Sequence, residues 1–553
     1  MKQLLAYTSC LIIAAGLFSG CYEDKSNYNY EESITDIDVQ LDKLYGIRKE
    51  NHVMTTVITP TVTTKDGDKS YLRYLWLMNS SSATSINNDT IGHDEVLTFT
   101  IDPNDNNFSY TYYLRLMVED TRTQTMTMRA TKLQIIKPFS YSWTVLHEQD
   151  GHAELGAVEY MGSEILVTPN AYTQESGTSF SGKPRFLCVR QNSNTGGGGI
   201  SVWGYESQSQ LYIGTTNQEE SGLLNQTERF KLMADWNSLI SPAQADQMDF
   251  SHVEANGANG GLLLNSKGHV FRNTYTSPFM FQMLPGATFL GDYYIEKAIA
   301  GPHTAIGYDN VGHRFVHLAM QSGDSWSGYA PSSLYNGGPI EEIPYRQGED
   351  GADPGKIDEN EKLVDFINGY HYEVTGTAIW QKYSAYAYML APGNRSHVYV
   401  FRYYALTHTD VPCMPGYFEF VTPKGITEDT PMTSGYEYNN ILFYAVDNKV
   451  YRLDISNGQS SLIYQHEDTE AEISCLKMAV EGYVAFGGND DEGTESYGHP
   501  YCRTLGVGIN TSDGKGEFVV LQLNTSGKID ENKKYPSIQI HRGFGKITDI
   551  AFI

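Results

Sequence analysis

Charge is scarce in this sequence and lopsided where it occurs. Across 553 residues only 19% are charged, and 39 Lys+Arg face 66 Asp+Glu for a net charge of −27. So few cations cannot neutralise a phosphate backbone, which excludes nucleic acid as a partner. The same shortage excludes polybasic adsorption to a membrane surface. Beyond residue 20, no apolar run approaches the roughly 20 residues that a spanning helix needs. Cysteine is sparse, at six residues, and no CxxC or Cys/His cluster has the spacing of a structural zinc site. The common catalytic signatures are missing as well: no GxSxG elbow, no HExxH helix and no Walker loop. His147-Glu148 runs into Gln149-Asp150-Gly151, and Gly196–Gly199 lacks the Lys-Ser/Thr that would follow it in a phosphate loop. Ser325 follows Gly323-Asp324 as a protease nucleophile would, but Trp326 occupies the place of the small residue that shapes an oxyanion hole. It reads as a turn serine. No cofactor is called for. Calcium is the ion that Asn489–Glu492 or Asp102–Asp105 would suit, yet neither matches an EF-hand and both read as solvated turns. No metal site is expected.

What is abundant points to strands. There are 40 Tyr, 52 Gly and 22 Phe, and hydrophobic residues reach 40%. That supplies large cores, and the mixture favours strands and turns over long helices. The expected fold class is all-β, with an Ig-like β-sandwich over residues 35–138 and a β-propeller over 139–553. In the first region, Val53–Val62, Tyr71–Met78, Val96–Ile101, Tyr110–Asp120 and Ala130–Ile136 read as strands divided by turn residues. Trp76 is expected at the sandwich centre.

From residue 139 the texture becomes a repeat of apolar strand, Gly/Asp/Asn turn and second strand. Gly261–Phe271 and Ile441–Leu453 show it plainly; Thr304–Leu318, Tyr388–Phe401 and Gly506–Leu523 show it more weakly. Glu164–Thr168 and Leu211–Gly214 read as single strands of the same kind. Repeats of roughly 45–85 residues suit propeller blades with loop insertions. Seven blades fit best, with six or eight as neighbouring solutions and two stacked sandwiches as the alternative. The apolar end Lys546–Ile553 is expected to pair near Tyr141–Leu146 and remove an open edge. Asn225–Val253 and Gly337–Tyr370 read as insertions, the first with a helix-capable stretch at Thr227–Trp236. Cys188, Cys413, Cys475 and Cys502 allow two disulfides in three connectivities, or buried thiols.

The N-terminus sets the expected compartment. Lys2, the apolar run from Leu4 to Ala15 and Ser19-Gly20 before Cys21 read as a signal peptide over 1–20. Small residues before Cys21 resemble a bacterial lipobox, with Phe18 where Leu is usual, which implies lipidation of Cys21 and firm anchoring. The tether 21–34 places Glu23-Asp24 just behind, resembling the signal that exports Bacteroidota lipoproteins to the outside of the outer membrane. Tyr74-Leu75-Trp76 and Tyr113–Asp120 resemble strands of PKD-like domains, and Tyr141–Gly151 looks like that family's domain junction. The whole order resembles the PKD-like surface lipoproteins of Bacteroidota. The resemblance implies an outer-membrane protein facing the cell exterior, in company with SusC/SusD-type TonB-dependent importers and other surface lipoproteins. It supplies no catalytic residues.

Aromatics in polar, Gly-rich stretches are the ligand-binding candidates: Trp203 and Tyr205, Trp326 and Tyr329, Tyr497 and Tyr501. Flat faces of this kind stack on sugars or peptide side chains at low entropic cost; packing within a blade is the competing role. The expected function is a non-catalytic accessory subunit that captures glycan or peptide, more in keeping with the missing motifs than an enzyme. The alternative is a surface glycoside hydrolase or lyase on a propeller scaffold, whose carboxylate pair spacing cannot single out. A third reading makes the propeller an adhesive or structural spacer.

Overall fold

The structure is a computed structural model. It describes residues 37–42, 44–79, 89–140, 142–161, 164–190, 210–240, 250–256, 260–274, 277–283, 291–300, 304–319, 340–343, 352–375, 378–402, 413–435, 438–479, 503–531 and 536–552. The chain forms two compact units, Met1–Lys43 with Val53–Leu133 and Leu44–His52 with Gln134–Ile553. Among the described residues, no helix is long and apolar enough to cross a membrane.

The first unit is built on strict alternation. Along Thr111–Asp120 every second residue is buried, including Tyr112, Leu114, Leu116 and Val118. This period of two lays one apolar face on the core. Leu72–Asn79 lies between Thr111–Asp120 and Asp89–Gly92 in the larger sheet. Ile37–Gln40 pairs with Thr61–Thr64, and Met54–Ile58 with Leu97–Ile101. Trp76 stands opposite Leu116, is fully buried, and its indole N–H donates to the Asp94 carbonyl at 3.0 Å. The expected central tryptophan is there, with its one polar atom satisfied.

The second unit is propeller-like. Among the described residues it contains seven four-stranded antiparallel sheets. In chain order these span 142–168 with 546–552, then 184–235, 250–283, 295–342, 362–421, 432–465 and 472–544. Every sheet except the first is a simple meander. The first takes its inner strand from the far end of the chain: Lys546–Phe552 pairs with Ser142–Gln149, Trp143 opposite Phe552 and Val145 opposite Ile550. That is the pairing the C-terminal apolar run predicts. The inner strands Pro184–Arg190, Phe250–Asn256, Ile295–Ala300, Lys362–Thr375, Met432–Thr433, Glu472–Met478 and Lys546–Phe552 each lie against the next, and the last against the first.

Aromatics fill the spaces between neighbouring sheets. Trp143 packs on Phe518 and Phe552 with centroids 5.3 and 5.2 Å away. Phe315 from the fourth sheet meets Tyr399 and Phe401 of the fifth at 5.2 and 4.8 Å. The stretch Thr227–Trp236 departs from its helical expectation. Arg229 and Phe230 take positive φ (62° and 58°), ending a short turn at Gln226–Glu228, and Lys231–Asp235 then forms an outer strand. Trp236 begins a single helical turn and is buried against Tyr212, Phe250 and Phe281.

Candidate functional site

Chain direction divides the second unit into two ends. In a four-stranded antiparallel sheet, the connections from strand one to two and from three to four share one end. The turn between strands two and three, and the link to the next sheet, share the other. Backbone bonds between these last two classes mark that end. Ile295 N–H donates to Gly268, Ile357 N–H to His313, Thr422 N–H to Asn394 and Ile473 N–H to Asp447. We call it the braced end and the opposite one the loop end.

The braced end is held by buried polar side chains, each engaged with backbone or a counter-charge. Asp309, wholly buried, accepts from the N–H groups of Tyr294, Val311 and Gly312 and from Arg314 Nε at 2.9 Å. Glu361 accepts at 3.0 Å from His397 Nδ1 and at 3.3 Å from the Tyr399 hydroxyl. Burial pushes its carboxyl above the usual range, against the pull of His397. His466 reaches Glu517 at 3.1 Å, and Asn448 donates to the His466 and Asp468 carbonyls. Burial works against the Glu517 charge, yet Arg542 and His466 hold its carboxyl below the usual range. These carboxylate–imidazole pairs tie turns to links, the work of structural braces. Among the described residues, no group of three or more His, Cys, Asp or Glu could hold a metal ion.

The inner strands carry polar bridges from sheet to sheet. Lys477 of the seventh sheet pairs with Asp549 at 2.8 Å and donates to the Leu187 carbonyl at 3.0 Å; Asp549 also accepts from Leu187 N–H. Arg185 reaches the Phe250 carbonyl at 3.4 Å, and Lys297 donates to the Val364 carbonyl with Asp365 3.7 Å away. Sequence reading missed these residues. Their signal is a lone charge inside an otherwise apolar strand, as in Ile473-Ser474-Cys475-Leu476-Lys477. Cys188 and Cys475 are joined in no disulfide, and burial pushes the Cys475 thiol up to about 12, which leaves it unreactive.

The sequence model of the PKD-like family matches residues 21–184. The match covers the first unit from residue 21 onward and runs on through the junction Tyr141–Gly151 into the first sheet of the second. No curated protein matches the chain. Among solved structures, a quinonprotein alcohol dehydrogenase-like protein from Bacteroides thetaiotaomicron is similar at 12% identity and TM-score 0.39, covering 92% of this chain and 96% of that one. Apo AztD from Citrobacter koseri is similar at 9% identity and TM-score 0.32, covering 87% of this chain and 98% of that one.

Within the PKD-like match lies a compact ion network of the second unit. Arg48 bonds Glu50, Glu159 and Glu175 at 2.8, 3.3 and 3.0 Å and lies 4.8 Å over the Phe139 ring. Arg229, beyond the match, joins it through Glu50 at 2.6 Å and through Glu175. Glu159 is fully buried and also accepts from Phe139 N–H at 2.7 Å.

Cys21 and all six aromatic candidates lie outside the described residues. So do Cys502 and the Asn489–Glu492 cluster, and the side chain of Cys413. The strands that flank the aromatics are described. Trp203 and Tyr205 fall between strands one and two of the second sheet, Trp326 and Tyr329 between strands three and four of the fourth, and Tyr497 and Tyr501 between strands one and two of the seventh. All three connections therefore leave from the loop end.

Proposed function

We propose that this is a lipid-anchored protein of the outer cell surface whose second unit is a seven-bladed propeller that captures glycan or peptide at its loop end. It is a non-catalytic accessory of a SusC/SusD-type importer, anchored through Cys21. One observation carries the reading: strand order sends all three aromatic-bearing connections from the same end, away from the braces. The cycle of inner-strand contacts and the borrowed C-terminal strand support closure with seven blades. The net charge of −27 favours neutral or cationic ligands over anionic ones.

The test has three arms. Soluble protein lacking residues 1–21 is screened on glycan and peptide arrays, with Trp203→Ala and Trp326→Ala as controls for any hit. Cys21→Ala is compared with wild type for incorporation of a labelled fatty acid. Copurification from outer membranes of the source cell looks for the importer. A protein that binds neither class, carries no lipid and purifies alone sinks the proposal. Turnover of a polysaccharide abolished by one carboxylate substitution would replace it with the hydrolase or lyase reading.

A further inference from the structure

The link from the seventh sheet to the closing strand turns at Gly545, and that turn lies hard against the second strand of the first sheet. A Cβ built on Gly545 would stand 2.0 Å from the Glu148 carbonyl oxygen. Beside it, His147 is fully buried. Its Nε2 lies 2.8 Å from the Pro169 carbonyl and its Nδ1 3.0 Å from the Gly545 amide nitrogen. A carbonyl only accepts and an amide only donates. The ring must therefore be neutral, with its proton on Nε2 and a bare lone pair on Nδ1. A second proton on Nδ1 would point at the Gly545 N–H and set two donors face to face.

The pairing of the closing strand is already irregular at this level, its register shifting between Leu146 and His147. Two residues on, Asn510 clasps Ile547 through both its N–H (2.7 Å) and its carbonyl (3.0 Å). The entry to the closing strand is thus held at two points, and only one of them titrates.

We propose that His147 is an acid-sensitive latch on the closing strand. Neutral, it pins Gly545 and keeps Lys546–Phe552 paired with Ser142–Gln149; protonated, it releases the turn and frees that edge before the rest of the unit unfolds.

The groups around the imidazole do not hold a second proton in place. Glu154, opposite on the neighbouring strand, is occupied by the N–H groups of Leu155 and Thr173. Glu148 is bridged to Lys183 at 3.4 Å, and Lys546 stands opposite Glu148. Phe544 covers the ring edge at 5.6 Å, and from the same strand His541 stacks on Phe518. Burial pushes the His147 pKa down to about 4, against the opposing bond to Pro169. A depressed histidine stabilises the fold fully above its ordinary pKa and loses that contribution as pH falls through the window from about 6.5 to about 4.

The experiment is hydrogen exchange on the full chain between pH 7 and pH 4, corrected for the intrinsic pH dependence of exchange. Peptides covering 142–149 and 545–552 are expected to lose protection by about 100-fold and to exchange ahead of the fifth-sheet strand Lys362–Thr375 throughout. His147→Gln, which donates to Pro169 but does not titrate, is expected to abolish the step. Exchange of both regions at one rate, or a step that survives in H147Q, overturns the latch. Should H147Q fail to fold, the wild-type imidazole titration followed by NMR decides alone: a midpoint above about 6 overturns the proposal, and one coincident with the exchange step upholds it.

Discussion

At one end of the second unit, Asp447 and Asn448 turn the chain between adjacent strands in two residues, with Asp447 at φ 53°. At the other, Arg190 and Gln210 are joined by a connection that carries Gly196–Gly199, Trp203 and Tyr205. The short turns are pinned by Asp309, Glu361, Asn448 and Asn510, so buried polar side chains tie sheet to sheet at this end. A body braced in this way tolerates long, variable connections on its other side, because their ends are held by the scaffold rather than by themselves. The contrast separates residues that keep the unit folded from the connections in which the proposed ligand-binding aromatics fall.

The largest expected effect breaks a brace. Asp309→Ala would remove the buried carboxylate to which Arg314 Nε and three N–H groups donate, and urea unfolding should show about 3–5 kcal/mol less stability. A loss below about 1 kcal/mol would mean that the braces do not carry the fold. Next comes Arg48→Met, which leaves the buried Glu159 carboxylate facing only Phe139 N–H. Roughly 2–4 kcal/mol should go at pH 7. The loss should shrink toward pH 5, because burial already pushes the Glu159 carboxyl up and protonation then relieves it; an equal loss at both values would contradict this account.

A smaller effect sharpens the contrast by pH. Burial pushes His541 down to about 4. The neutral ring is the stable form in the fold, so its contribution is present above about 6.5 and lost as pH falls toward 4. His541→Phe should therefore gain roughly 2 kcal/mol on wild type when pH 5 is compared with pH 8; parallel pH curves would remove His541 from the account. The smallest stability effect belongs to the loop end. Trp203→Ala and Trp326→Ala should leave the thermal midpoint within about 2 °C of wild type while weakening capture of any array hit. A drop of many degrees would make these residues core, not binding surface.

Much of this contrast is legible before the fold is known. The turn residues between paired apolar runs, as at Asp309–Gly312 and Asp447-Asn448, announce hairpins because only a few residue types adopt their backbone. Trp76 and the alternation of Thr111–Asp120 announce the first unit for the same local reason. Partners distant in sequence stay hidden. Nothing near Arg48 foretells Glu159, Glu175 or Arg229, and nothing near Lys477 foretells Leu187 or Asp549, since each bridge exists only once sheets from different parts of the chain are side by side. The strand at Lys231–Asp235 was obscured differently: its helix-forming composition yields to the left-handed pair Arg229-Phe230 and to the burial of Trp236.

The first sheet borrows its inner strand from the chain's far end, which sets a schedule for the newborn protein. Trp143 and its neighbours are among the earliest residues of the second unit to appear, yet their partner strand is the last. At roughly 5–20 residues per second, the stretch from Trp143 to Phe552 takes on the order of 20–80 s to emerge. Throughout that interval the Ser142–Gln149 edge stands open. Its lasting safety in the finished protein is preceded by a long exposure, during which an open strand edge is a template for pairing with a stranger.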